Sequence, residues 1–594
     1  MSAGAALIAG ALVAAPANAA PPQTVDPTHP DFGPNVTIFS PDTPLDEIQA
    51  TLDALADAQR DAEMSSARHA VYFLPGDYGD AVTPLQFEVG YYTEVAGLGA
   101  SPDDVTITGA IEVYNRCVGE GGTNCIALTN FWRTLGNLGL HISTPDRGCR
   151  TGTNFWAVSQ AVSLRRLDVS GGNLSLMDYC TAGPQYASGG FIADSKLPTT
   201  INGSQQQWLT RNSEVANWTN GVWNQVFSGV VGAPSDASFP DPTYTTVEKT
   251  PVSREKPYLY VDDAGAYFVR VPSTQKESSG VSWSAGETAG RSIPISDFYI
   301  AKPGDSAQVI NTNLARGKHL LLTPGVYDVD RTIEAKRPDT IVLGIGHATL
   351  TAVGGAVPIE VKDAAGIVIA GITIDAGTTL SPVLMRVGKA GGNGHGNKAD
   401  AANPITLSDV YFRVGGPHIG KATTALEVNA DNVLIDHTWV WRADHGLEGF
   451  TAGVNGDDVT ATGLFVEHFQ KYNALWKGEN GRVILFQNEL PYDPPTQEDW
   501  TQPNGTLGYP GYVVDAEVKT HRLEGAGVYV FNQNNPSIVT ANGFSVPQTA
   551  GVQLRHIMTV NLAAGTIQHV VNGVGGQADN SNTGAPQFIV NYGG

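Results

Sequence analysis

The sequence predicts an all-β chain built as two tandem parallel β-helices joined by a connecting segment. Three observations carry this. One layout occurs twice, with Pro75 and Pro324 standing 249 residues apart. Short β-rich runs recur at intervals of 24 to 38 residues in the second half, most of them bounded by Gly, Asn or Asp. Little helical periodicity lies between those runs. A length of 594 residues is also too great for one compact core and favours two or more domains.

Residues 1–20 carry no Asp, Glu, Lys or Arg, and an apolar run from Ala5 to Ala15 precedes Ala17-Asn18-Ala19. That A-x-A pattern predicts a cleaved export signal and a secreted protein. The first β-helix is expected over 21–250. A helix-like stretch from Leu45 to Ala58 leads into Val71-Tyr72-Phe73-Leu74-Pro75-Gly76-Asp77-Tyr78 and then Gly97-Leu98-Gly99. Four cysteines, Cys117, Cys125, Cys149 and Cys180, fall in this half. An even number in an exported chain implies two disulfides with three possible connectivities, and proximity favours Cys117–Cys125 and Cys149–Cys180. Residues 251–295, richer in charge, Ser and Pro, read as the connector, with a hairpin around Asp263-Ala264-Gly265.

The second β-helix is expected over 296–594. A short helix from Ala307 to Leu314 precedes Leu320-Leu321-Leu322-Thr323-Pro324-Gly325-Val326-Tyr327 and then Leu343-Gly344-Ile345-Gly346. The recurring runs begin at Ile341, Ile367, Ile405, Val433, Val459 and Val483. A repeat near 25 residues suits a solenoid coil of about three strands, which cannot bury its apolar face without a neighbour.

The composition excludes several functions. Acids outnumber bases 58 to 35, the net charge is −23, and only 16% of residues are charged. Nucleic acid or pectate would want a basic face, so the balance points to a neutral ligand. No second apolar run is long enough to span a membrane. No Gly-rich stretch has the strand–helix setting of a dinucleotide site. His418, His437 and His521 have no metal spacing, and no cofactor or metal is expected. Gly456-Asp457-Asp458 reads as a turn.

Equivalent positions of successive coils stack about 4.8 Å apart. Aligning the coils on Val433, Val459 and Val483 puts Trp439, Phe465 and Glu489 in one row, and Trp441, Glu467 and Pro491 in the next on the same face. Glu467 and Glu489 then lie on adjacent coils beside two tryptophans, with His468, Tyr472, Trp476, Tyr492 and Asp493 around them. Paired carboxyls with aromatic walls suit glycoside hydrolysis, which needs a protonated acid on one side of the sugar and a base or nucleophile on the other. The same spacing also fits two solvated carboxylates on an outer face.

The segment Val466-Glu467-His468-Phe469-Gln470-Lys471-Tyr472, followed by Gln487-Asn488-Glu489-Leu490-Pro491-Tyr492-Asp493-Pro494-Pro495, resembles glycoside hydrolase family 55. In the first half, Trp156-Ala157-Val158-Ser159-Gln160-Ala161-Val162-Ser163-Leu164 and Ser188-Gly189-Gly190-Phe191 resemble that family's W-x-V-x-Q-A-x-S-L and S-G-G-F stretches. The resemblance implies right-handed, pectate-lyase-like β-helices with a cleft between them, and an inverting exo-β-1,3-glucanase. It implies Glu489 as general acid, and Glu467, Gln160 and Ser188 as the group holding the attacking water. Trp439, Trp441, Asp444, His445 and Tyr492 are expected to line the nearest subsite. The stretch from Asn173 to Ala187 is longer than the family's connection, which leaves open a glycosidase for another linkage. A non-catalytic carbohydrate-binding solenoid is the alternative outside enzymes. The expected partner is a neutral β-glucan, and the expected state a monomer.

Overall fold

A computed structural model describes residues 23–182, 185–391 and 400–593. The expected signal segment and most of the stretch Gly391-Gly392-Asn393-Gly394 lie outside the described residues. Two parallel β-helices follow one another. The first is a 16-stranded parallel sheet running from Val36–Phe39 to Tyr244–Val247. The second is made of a 13-stranded sheet, Phe298–Ala301 to Gln587–Tyr592, facing a nine-stranded one, Ile333–Ala335 to Thr566–Val571. The six runs read from the sequence are successive strands of the 13-stranded sheet. Each β-helix encloses its own apolar core. Between them, Tyr258–Val261, Tyr267–Pro272 and Gly290–Pro294 form a small antiparallel sheet. Its hairpin turn is held by the Asp262 carboxylate, which accepts from the Ala264 and Ala266 amides.

The duplicated motif has the same job in both copies. Helices Leu45–Gln59 and Ala307–Ala315 sit at the start of each β-helix. Gly76 and Gly325 each lie so close to a proline ring, Pro41 or Pro303, that a Cβ would stand 2.3 or 2.2 Å from it. Tyr78 and Tyr327 each turn the hydroxyl back onto the carbonyl four residues upstream, Leu74 or Thr323. Each also bonds a carbonyl of the preceding strand, Phe39 or Ala301. Pro-Gly-x-Tyr thus ties the first coil to what precedes it, giving the Leu74 and Thr323 carbonyls a donor and adding a second bond to Phe39 and Ala301, which already accept the Leu74 and Thr323 amides.

A column of left-handed residues bends the long strands of the second β-helix. The pairs on either side bring Gly371, Asp409, His437, Gly463, Leu485, Gly525 and His556 level in order, each at an interruption of the ladder and all with φ between +50° and +72°. This column faces the first β-helix. Asp409 accepts from Ser163 and Arg165, His437 stacks on Phe191 at 4.7 Å, and His556 meets Thr245. A left-handed Leu485 costs about 1 kcal/mol. Its buried side chain joins the apolar cluster between the β-helices, which offsets that cost.

The same interface buries an ionic lattice. Arg165 bonds both Asp409 oxygens and Asp436, and Arg211 bonds Asp436 and Glu255. Lys256 of the connector stands 3.3 Å from Asp409. The lattice therefore joins three parts of the chain and holds the two β-helices in one relation.

Candidate active site

Beyond the bend, alternate side chains of the long strands point inward, as Val440, Val466 and Phe486 do, or toward the first β-helix. Register stacks Arg413, Trp441, Glu467, Glu489 and Tyr529 in one outward row. Tyr411, Trp439, Phe465, Gln487 and Gly527 form the next. This corrects the sequence alignment of the third coil. Val483 pairs with Ala461, not Val459, because the strand opens at Gly481, after the left-handed Asn480. The slip of two residues keeps the face, and Glu489 now stacks directly on Glu467.

Glu467 is only 3% exposed. The Gln160 amide donates to its Oε1 at 2.7 Å, and the Trp439 indole donates to Oε2 at 2.9 Å. Ser188 Oγ donates to Gln160 Oε1 at 2.7 Å. Its own amide donates to Ser159 Oγ, which is fixed on the Ala127 carbonyl. Gln160 and Ser188 belong to the first β-helix and Glu467 to the second, so this chain of bonds crosses the interface. The local sequence explains the close approach. Gly189, at φ +118°, would place a Cβ 2.8 Å from the Phe465 ring, and Gly190 would place one 2.3 Å from Trp208. Burial and the negative charge of Glu489 push Glu467 up to about 7, against the smaller lowering effects of His468 and then the Trp439 bond.

Glu489 ends its strand with a side chain 15% exposed, so of the two carboxyls it is the one open to a ligand. Tyr492 donates to Glu489 Oε2 at 2.9 Å, and His468 Nε2 lies 3.3 Å from the same oxygen. Arg442 clamps the loop carrying Tyr492 through a bidentate pair with Asp493, at 2.9 and 2.8 Å. The Asn532 amide holds the Pro491 carbonyl at 2.7 Å.

Trp441 stacks on Trp439 at 4.4 Å. Phe131 and Trp132 of the first β-helix close over both, with ring centres 4.8 to 5.9 Å away. Trp439 is 1% exposed, so it reaches the site as the donor to Glu467 and not as an open wall. Asp444 and His445 occupy an exposed turn next to Trp441, with His445 left-handed. Glu63 of the first β-helix is pushed up by burial, and the charge of Asp444 adds to the shift.

Two neighbours in sequence go elsewhere. Trp476 lies in the core, on a strand of the nine-stranded sheet, and Tyr472 packs against Tyr509. Asp457 belongs to a turn ladder, donating its amide to Asp431 and accepting from that of Glu479. No group of three metal-ligating side chains occurs among the described residues. The cysteines pair as Cys117–Cys125 and Cys149–Cys180. The Phe131-Trp132 pair and the Arg442–Asp493 clamp escaped the sequence reading. Only the adjacency of two large aromatics marked the first, and nothing marked the second.

Comparison with known proteins places the chain in a family. Residues 298–489 match the LAM55 pectate lyase-like domain. The exo-beta-1,3-glucanase of Streptomyces sp. (strain SirexAA-E / ActE) is 44% identical over 574 residues, covering 95% of this chain and 90% of that protein. The chain belongs to glycoside hydrolase family 55. The structure of sacteLam55A from Streptomyces sp. SirexAA-E superposes with a TM-score of 0.87 at 43% identity, over 96% of this chain and 100% of that one. A substituted form of sacteLam55A in complex with glucose matches equally well, again at 0.87 and 43%. As a family 55 member the protein is a glycoside hydrolase. Its two carboxyls meet one above the other where the two β-helices touch.

Proposed function

We propose that the protein hydrolyses a β-1,3-glucan from a chain end, with inversion at the anomeric carbon. The observation that carries the reading is the pair Glu467 and Glu489, stacked on adjacent coils in unlike settings. Glu489, open to the cleft, gives its proton to the glycosidic oxygen as the C–O bond breaks. A water held by Ser188, Gln160 and Glu467 attacks the opposite face of the sugar and passes its proton to Glu467. One proton leaves Glu489 and one arrives on Glu467, so exchange with solvent resets the pair. Trp441, Tyr492, Asp444 and His445 supply the walls of the sugar site, and Trp439 orients Glu467. The choice of β-1,3-glucan rests on the named activity of the Streptomyces relative. Two disulfides support action in an oxidising, extracellular setting.

The test is product analysis on laminarin for the wild type and Glu489→Gln. Glucose as the first product, with none from the folded variant, is the expected result. Internal cleavage into long fragments, or no release at all, would contradict the reading.

A further inference from the structure

His468 is in an unusual state for a residue that follows a strand. Its φ is +67°, a strained conformation for a residue with a side chain. In an extended chain it would point away from the face that carries Glu467. The left-handed backbone instead brings its ring to 4.0 Å from Tyr492, over Glu489. The strain is held from several directions. The His468 amide donates to the Glu489 carbonyl at 2.8 Å, and Arg442 donates to the His468 carbonyl at 3.2 Å.

The ring's tautomer can be read from its neighbours. The Trp441 indole N–H lies 3.2 Å from His468 Nδ1, and an indole can only donate. Nδ1 also stands 3.3 Å from the Arg442 carbonyl, so the Trp441 bond alone does not fix the tautomer; the Glu489 carboxylate, which can only accept, selects the proton on Nε2 and leaves Nδ1 to accept from Trp441. The Nε2–H faces Glu489 Oε2 at 3.3 Å. Tyr492 donates to the same oxygen. With two donors on Oε2, a proton on the carboxyl belongs on Oε1.

We propose that His468 is a positioning residue for the proton donor: its Nε2–H, with the Tyr492 hydroxyl, occupies Glu489 Oε2, so that Oε1 is the oxygen that protonates the leaving group, and Trp441 supports His468 in that tautomer. Trp441 thus has a second role beyond lining the sugar site. After proton transfer the same two donors stabilise the new carboxylate, which favours the step in the direction of cleavage.

This rests on the reading of Glu489 as general acid, and the experiment separates the two. His468→Gln carries an amide N–H near the Nε2 position. His468→Asn places its amide oxygen near Nδ1, able to accept from Trp441, but is too short to reach Glu489. Both are polar, so a folding defect in one alone is not expected. Each is assayed on laminarin and on 2,4-dinitrophenyl β-glucoside, whose leaving group departs without a proton. We expect His468→Asn to lose ~10–100-fold in kcat on laminarin, less than ~3-fold on the aryl glucoside, and little in KM. His468→Gln should recover most of the laminarin rate. Equal rates for the two variants on laminarin, or equal losses on both substrates, would overturn the proposal. Glu489→Gln in parallel should be inactive on laminarin and active on the aryl glucoside. If that control hydrolyses laminarin, the acid assignment itself fails, whatever the His468 variants do.

Discussion

Two clusters of buried carboxyls lie on the same interface, and they are built on opposite terms. Asp409 and Asp436 are enclosed by Arg165, Arg211 and Lys256, and both are held below the usual carboxylate range by those cations, in spite of burial. Glu467 is as deeply buried, but its partners are an amide and an indole, and its nearest charge is the like charge of Glu489. It rises to about 7. Asp194 marks the boundary between the two. Its one arginine, Arg166, does not outweigh burial and the repulsion of Glu255, and it too is pushed up to about 7. Cations around a carboxylate decide whether burial makes a clamp or a proton carrier. The first cluster fixes the β-helices, and the second holds the carboxyls we propose for the chemistry.

The comparison can be broken most severely at Glu489. Glu489→Gln should fold as the wild type does and lose ~10³–10⁴-fold in kcat on laminarin, read by glucose release. Next is the clamp. Asp409→Asn leaves Arg165 and Lys256 facing a neutral amide and should cost about 3–5 kcal/mol in a denaturant titration at pH 7. Asp409 titrates lower in the fold than in the unfolded chain, so its contribution is present above pH 4 and disappears as the pH falls further. The difference from wild type should therefore shrink in acid.

The opposite sign is expected at Glu467. Its folded value lies above the ordinary glutamate value, so the ionised wild type loses stability as the pH rises from about 4.5 to about 7. Glu467→Gln should be more stable than wild type above that window, by roughly 1–3 kcal/mol, and no more stable at pH 4. It should also be almost inactive, gaining stability where function is lost. A wild-type stability profile would mean that Glu467 is not the strained member of the pair. The smallest effect concerns pH and rate. Glu467 must be ionised to take the water's proton, so kcat on laminarin should fall as the pH drops below about 7.

Much of this was legible in the sequence because a solenoid repeats itself. The runs at Ile405, Val433 and Val459 place their strands, and the Pro-Gly-x-Tyr copies mark where each β-helix starts. Spacing put Glu467 and Glu489 on adjacent coils but fitted a wet surface equally well, and Gln160, Ser188 and the roles of all four came from motif resemblance alone. The register at Val483 went wrong because the apolar anchor is two residues inside the strand. Contacts between the β-helices were out of reach of spacing. Only the motif resemblance brought Gln160 to Glu467, 307 residues away, and nothing in the sequence says that Arg165 meets Asp409 across 244. Nor does local pattern reveal that His468 turns left-handed and comes over Glu489.

Inversion requires water to attack directly, from the side opposite the acid. Proton NMR of the wild type acting on laminarin, recorded in the first minutes before mutarotation, tests this. The α-anomer of glucose should appear first, with the β-anomer growing in later at the solution rate. If the β-anomer appears first, a carboxylate has acted as nucleophile, and the water-holding role of Ser188, Gln160 and Glu467 is wrong.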